Sequence, residues 1–242
     1  MQHLIIDHGN TRTKLFIFEE VIIVHRVVIV DLTLELLTGF LKSFPHVSKV
    51  GLSATGHFDD SLKIFLQKKY NFIELTHETK IPITNHYKTP KTLGKDRLAA
   101  VVAAHDLYPA QNVMIIDAGT CVTYDFVTVS GDYYGGSISP GLQMRLRAMH
   151  EFTAKLPLVG IEYLLDFIGS DTTTALQTGA QYGLIHEIEG FQKMYVQRFG
   201  ACKTLLTGGD ALFIAQHLVH LQIETQNDLV AMGINVVLNH HY

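Results

Sequence analysis

LIIDHGNTRTKLFIF, residues 4–18, reads as an apolar β-strand that breaks at Asp7 into a short polar turn and then resumes as strand. The device returns as MIIDAGTCVTYDFVT at residues 114–128. Setting Asp7 on Asp117 gives an offset of 117 − 7 = 110 residues, and Ile5/Ile115, Ile6/Ile116, Gly9/Gly119, Thr13/Thr123 and Phe16/Phe126 then coincide. One Asp-x-Gly turn alone is an ordinary hairpin signal. A second copy behind the same Ile-Ile run predicts two similar α/β halves, residues 1–111 and 112–242, each opening on an antiparallel strand–turn–strand.

Working outward, Leu32, Leu36, Leu37 and Phe40 give residues 32–44 a helical period. VSKVGLSAT (47–55) is a buried strand, residues 59–70 a helix and NFIEL (71–75) a strand. An irregular stretch, ETKIPITNHYKTPKTLGKD (78–96), leads into the alanine-rich helix RLAAVVAAHDLY (97–108). The second half restarts with strand–turn–strand over 113–129 and a glycine-rich turn and loop over 131–141. Helices are expected over 142–156, 183–198 and 211–221, with ACKTLLTGGD (201–210) as strand then turn.

At 242 residues, 47% hydrophobic and 17% charged, the chain has material for a substantial core. A net charge of −4, without any basic or aromatic-interleaved run, gives no electrostatic basis for a nucleic-acid partner. VIIVHRVVIV (21–30) is too short to span a bilayer and carries His25 and Arg26 in its middle. Asp7 interrupts the first apolar run, unlike a signal peptide, so a soluble, cytoplasmic protein with no membrane partner is expected. Cys121 and Cys202 form neither a C-x-x-C pair nor a disulfide pattern. Among 14 histidines, His217 and His220 sit three apart without an H-E-x-x-H or Cys/His framework, and ordinary hydrogen-bonded histidines are expected.

The repeated turn has a chemical use. Glycine lets a ligand approach backbone N–H groups, and consecutive N–H groups make a concave anion site. Asn10, Thr11 and Thr13 add donors for phosphate oxygens, Lys14 adds a point charge, and Asp7 offers hard oxygen to Mg²⁺ or its waters. Two such turns facing one another across a cleft grip one chain of phosphates from both sides. The arrangement resembles the acetate and sugar kinase, Hsp70 and actin superfamily. That likeness implies an α/β fold of two ribonuclease-H-like domains, the actin-like ATPase duplication, with a cleft between them.

Four further stretches, YKTPKTLGKDR (87–97), GGSISPG (135–141), FTAKLP (152–157) and TGGDA (207–211), resemble type III pantothenate kinase when taken in order with the two turns. The resemblance implies phosphorylation of pantothenate by ATP with Mg²⁺, a monovalent cation (K⁺ or NH₄⁺), and a homodimer whose substrate site lies near the interface. Its proton acceptor falls on Asp96, and its pantothenate site on Gly94, Lys95, Asp96 and Arg97 with Tyr87. The nucleotide segment falls on Asp7, His8, Gly9, Asn10, Thr11, Arg12, Thr13 and Lys14, His8 having no individual role. Thr120 matches an ATP contact and Asp117 the monovalent-cation ligand. DTTTALQTG (171–179) resembles the family's N-T-x-x-A-M-Q-S-G, which sets Thr172 where a threonine reaches pantothenate across the dimer; Thr173 and Thr174 are adjacent alternatives. The family usually has Ala at Cys121.

Each residue also has a plainer reading. An acid in a first helical turn is commonly a cap or dipole partner. Asp117 could tie its own hairpin, Tyr87 could be a packing residue, Thr172 could be a cap that starts a helix, and Arg97 could hold either a substrate anion or Asp96. GGSISPG suits the floor of a pocket, being stiff and without bulk, and TGGDA resembles the superfamily's glycine pair near the adenosine; both could equally be strand-to-helix turns, with Asp210 as a cap, and neither is assigned a site residue. The competing functions are another sugar or acid kinase of the superfamily and a non-catalytic regulator. Retention of Asp7, Asp96 and Asp117 argues against the last.

Overall fold

The structure is a computed structural model and describes residues 1–9 and 12–242. Its strands are β1 (Gln2–His8), β2 (Thr13–Glu19), β3 (Ile22–Ile29), β4 (Val47–Ala54), β5 (Asn71–Glu74), β6 (Thr84–Asn85), β7 (Asn112–Ala118), β8 (Cys121–Val127), β9 (Asp132–Pro140), β10 (Cys202–Thr207) and β11 (Glu224–Thr225). Its helices are α1 (Leu34–Lys42), α2 (Asp60–Lys69), α3 (Lys95–Leu107), α4 (Leu142–Glu151), α5 (Thr172–Phe199), α6 (Ala211–His217) and α7 (Leu229–His241). Two compact units form. One holds Met1–Pro109, Gly131–Tyr133 and Asp228–Tyr242; the other holds Ala110–Ser130 and Tyr134–Asn227. The repeat alone divides the chain between residues 111 and 112, whereas by contacts the last fifteen residues, 228–242, return to the first unit.

In the first unit the sheet order is β3-β2-β1-β4-β5, with β1 antiparallel to β2 and parallel to β4. Both faces of β1 are covered, so its sequence is a continuous apolar run rather than an alternation. Leu4 and Ile6 join Leu37, Leu41, Leu62 and Leu66 of α1 and α2 in one cluster. Ile5 lies on the other face, where it and Ile234 of α7 both approach Gly51. Small residues let α3 and α7 meet closely: a Cβ on Gly233 would fall onto the backbone of Ala99. Buried His3 donates from Nδ1 to Asn235 Oδ1 (2.9 Å), and Asn235 Nδ2 donates to the Glu20 carbonyl (2.7 Å), fastening α7 to β1 and the β2–β3 turn.

The second sheet repeats the plan with the order β11-β10-β7-β8-β9-β6, β7 being antiparallel to β8 and parallel to β10, and the short β6 parallel to β9 at its edge. Met114, Ile116, Val122 and Tyr124 pack against Leu184, Ile185 and Ile188 of α5 and Ile214 of α6. The duplication is exact in sheet position for the two aspartates. Asp7 stands between Lys14 of the antiparallel neighbour and Ser53 of the parallel one, and Asp117 between Thr123 and Thr207. Beyond the turn the matching slips by one. His8 pairs with Thr13 across residues 9–12, while Ala118 pairs with Val122 across the shorter 119–121. Thr13/Thr123 and Phe16/Phe126 are therefore not equivalent sheet positions.

Five segments differ from their sequence readings, the first being the helix expected over 211–221, which ends at His217 before a 3-10 turn at Val219–Leu221. Residues 132–140 form strand β9 rather than loop, because Gly136 backs directly onto the Tyr124 carbonyl, where any side chain would collide. Helix α4 stops at Glu151, where His150 Nδ1 donates to the Leu156 carbonyl (2.8 Å) and Thr153 to that of Met149 (2.7 Å). Helix α5 begins at Thr172, not 183, started by an Asp171/Thr174 capping box. Residues after 221, which receive no element from the sequence, contain α7. Among the described residues no helix is long and apolar enough to cross a membrane.

Candidate active site

The first unit brings most of the expected substrate residues together. Gly94 is the N-cap residue of α3, Asp96 lies in its first turn, and Asp96 Oδ1 accepts the Arg97 N–H at 2.8 Å. A Cβ at position 94 would come within 2.5 Å of that same oxygen, so glycine there leaves the carboxylate its place. Buried Arg97 extends over the Tyr87 ring, 5.7 Å from guanidinium carbon to ring centroid. Tyr87 is fixed from two directions. Its N–H donates to Asn85 Oδ1 (2.9 Å) and its ring lies parallel to that of buried Tyr133, 6.5 Å away. Lys95 instead pairs with Glu74 (3.5 Å), an acid that Lys63 also contacts.

Asp7, at the end of β1, is also part of this neighbourhood. Burial raises its pKa above the ordinary carboxylate value, Lys14 at 3.4 Å opposes the rise, and the charge of Asp96 adds to it. Around Asp7 the turn is held by its own groups. The Gly9 N–H donates to the Arg12 carbonyl (3.1 Å). His8 Nε2 donates to the His57 carbonyl (3.1 Å), so in the neutral ring Nδ1 accepts from the Thr13 hydroxyl (2.8 Å). Thr13 is fully buried, so its hydroxyl serves His8, whereas the sequence reading gave it to phosphate. Arg12 is exposed, and Asn10 and Thr11 lie outside the described residues.

In the second unit Asp117 ends β7, partly buried, and Thr120 is exposed in the turn that follows. Again the glycine amide closes its own turn, Gly119 N–H donating to the Cys121 carbonyl (2.9 Å). The two motifs given no role from sequence meet here. Gly141, closing GGSISPG, donates to the Thr120 carbonyl (3.1 Å), and Asp210 of TGGDA donates its N–H to the Ala118 carbonyl (3.1 Å). Gly208, at φ +98°, lies so close that a Cβ would strike the Ala118 carbonyl and sit 2.6 Å from Asp117 Oδ1. Asp210 makes no side-chain cap, correcting that expectation; burial raises its pKa and Tyr163 donates to it at 3.4 Å. The signal for this clasp was available in the glycines, which precede helices at positions where backbone must approach backbone.

Thr172 is the first residue of α5 and is exposed, as is Thr173. Thr174 is committed to the cap: its hydroxyl accepts from the N–H groups of Ser170 and Asp171 (3.1 Å each). That removes one of the three alternatives. His217 donates to the Phe213 carbonyl and His220 pairs with Glu189 at 3.1 Å; among the described residues no group of His, Cys, Asp or Glu is arranged to hold a metal.

Comparison with solved structures supports the fold. A conserved Baf family protein from Campylobacter jejuni, with a suggested role as transcriptional activator, superposes with TM-score 0.61 at 22% identity over 98% of both chains. A propionate kinase from Francisella tularensis does so with TM-score 0.55 at 13% identity over 99% of both chains. The two sheets with their helices are thus of the actin-like ATPase and sugar kinase type. At the sequence level, a type III pantothenate kinase of Bacteroides fragilis strain YCH46 is 38% identical over 240 residues, covering 99% of this chain and 98% of its own. That of Christiangramia forsetii is 38% identical over 237 residues, covering 98% and 97%. The family model described as type III pantothenate kinase matches residues 3–194. The chain belongs to the type III pantothenate kinase family.

Proposed function

We propose that this kinase transfers the γ-phosphoryl group of ATP to the primary hydroxyl of pantothenate, the first step of coenzyme A synthesis, with Asp96 accepting the hydroxyl proton. The observation that carries the assignment is the cluster in the first unit, where Asp96, Arg97 and Tyr87 adjoin and the charge of Asp96 reaches Asp7. Phosphoryl transfer passes through a loose transition state, so positioning does most of the work and an ordinary carboxylate beside the hydroxyl suffices. A helix N-terminus favours negative charge at Asp96. Arg97, buried and already directed over Tyr87, takes an anionic oxygen of the substrate, and Gly94 leaves the Asp96 carboxylate its place. Lys95, tied to Glu74, borders the same segment.

Asp7 fits a role toward Mg²⁺ or its waters: its oxygens are hard donors, and a dication offsets the burial that raises its pKa. Mg²⁺ accompanying ATP neutralises phosphate charge. The remainder of the first turn, His8 to Lys14, serves the nucleotide through Arg12, Lys14 and the segment of Asn10 and Thr11. Asp117 is assigned to the monovalent cation, K⁺ or NH₄⁺, and Thr120 to ATP. Thr172 is assigned to pantothenate of a second subunit, in a homodimer. Exposed Phe152, Leu165, Phe167 and Ile168, in the stretch leading to Thr172, support such an interface. Use of ATP fits a cytoplasmic location.

A coupled assay of ADP release tests the reading. Pantothenate is expected to stimulate release, more strongly with K⁺ present, while a panel of sugars and short carboxylic acids leaves it at background. Stimulation by a sugar or short acid instead of pantothenate would reverse the assignment.

A further inference from the structure

We infer that Arg145 and Glu187 form a charged clamp that positions the Ala118–Thr120 turn for nucleotide, an inference that rests on reading that turn as an ATP contact. The Gly141 N–H holds the Thr120 carbonyl (3.1 Å), and Gly141 is itself held by Arg145, whose backbone N–H donates to the Gly141 carbonyl (3.0 Å). The Arg145 guanidinium completes the grip with Nε to the Pro140 carbonyl (2.9 Å) and one terminal nitrogen to Ser139 Oγ (3.0 Å) and Glu187 Oε2 (2.5 Å). Glu187 Oε1 accepts the hydroxyl of Tyr124 at 2.6 Å, and Tyr124 is fully buried on the strand leaving the same turn. Strand β8, through Tyr124, and the end of β9, through Arg145, are therefore both linked to α5 by one carboxylate.

Two physical points separate positioning from mere stability. A partly buried ion pair is weak grounds for stability, because desolvation offsets most of its attraction. A guanidinium, by contrast, fixes directions, since its donors lie in a rigid planar fork that an ammonium cannot reproduce. Burial works against the ionised form of Glu187, yet hydrogen bonds from Tyr124, Arg145 and Ser139 hold its pKa below the usual value, so the clamp stays charged at working pH.

The paired variant R145M/E187Q removes both charges together and leaves no orphaned carboxylate. Its KM for ATP is expected to rise about tenfold, with KM for pantothenate within twofold of wild type and the unfolding midpoint little changed. R145K is expected to keep the midpoint but not restore the nucleotide KM. An unchanged KM for ATP in R145M/E187Q would overturn the clamp, as would an equal rise in both KM values with a collapsed midpoint, which marks a purely structural pair. Failure of the underlying reading looks different: Thr120→Val in an otherwise wild-type chain would leave the KM for ATP unmoved, and the clamp would then fall with it.

Discussion

Asp96 and Asp7 are carboxylates of one unit, yet their surroundings divide their work. Asp96 accepts a backbone N–H with one oxygen at a helix start, and asparagine keeps that acceptor. Asp96→Asn is therefore expected to lower kcat by about 10²–10³-fold while ATP affinity, read by titration, stays within twofold; unchanged turnover would remove Asp96 as proton acceptor. Asp7 is held at a cost. Burial raises its pKa, so its favourable share in folding is present below its unfolded value of 3.8 and is lost as pH rises through the folded value. At pH 7 the charged form opposes folding, and Asp7→Asn is expected to raise the melting temperature of the ligand-free protein there, with the gain vanishing on acidification toward pH 4. The same variant should lose activity by about a hundredfold or more, since a hard anionic oxygen is gone. Asp7 and Asp117 stand out in the sequence because one small-residue turn occurs twice, whereas Asp96 stands out only through the likeness of GKDR to the family. The loss of Lys95 to Glu74 could not be read there, because its partner lies 21 residues away; Thr13 and Thr174 are taken by near neighbours, His8 and the Asp171 cap, and there the local turn geometry decides which hydroxyl is free.

At the scale of elements, hydrophobic period located the strands and most helices, and it failed where glycine or tertiary contact intervened. Helix α5 carries Gly179 and Gly183, which blur the signal ahead of the span read as helix, and its true start is a local capping box. Strand β9 is rich in glycine because a neighbouring carbonyl leaves no room, a reason invisible without the neighbour. Helix α7 packs through Gly233 and Ile234 and is tied to β1 by the single bond between His3 and Asn235. Burial lowers the His3 pKa, with Lys49 and the N-terminus assisting and the Asn235 bond opposing. Its contribution is thus complete above the unfolded value of 6.5 and is lost as pH falls through the folded value. Wild-type melting temperature is expected to drop as pH is lowered from 7.5 to 5, and His3→Asn, which retains a donor but cannot titrate there, should show a shallower drop. The variant should also be less stable at pH 7.5 by about 1 kcal/mol. Parallel pH profiles for the two proteins would exclude His3 as the titrating group.

Across the whole molecule the duplication was legible because each half repeats one strand–Asp–turn–strand, and both aspartates do occupy matching sheet positions. The return of residues 228–242 to the first unit was not, since it depends on Ile234 and Gly233 meeting Ile5, Gly51 and Ala99. The proposed homodimer makes a further prediction about residues that the single chain leaves exposed. Leu165 is 93% exposed, Phe167 69% and Ile168 66%, all within seven residues of Thr172, and Phe152 further back is 85% exposed. If that stretch is the subunit interface and Thr172 completes a neighbour's substrate site, association and pantothenate binding are linked, whereas nucleotide binding is not. Sedimentation across a dilution series is expected to show a dimer that dissociates, with the pantothenate KM rising over the same concentrations and ATP affinity staying level. The pair Leu165→Glu and Phe167→Glu should shift dissociation to about a hundredfold higher concentration by burying charge at the contact. Thr172→Val should raise the pantothenate KM without altering the dimer. Pantothenate affinity that holds constant through dissociation would separate Thr172 from the neighbouring site.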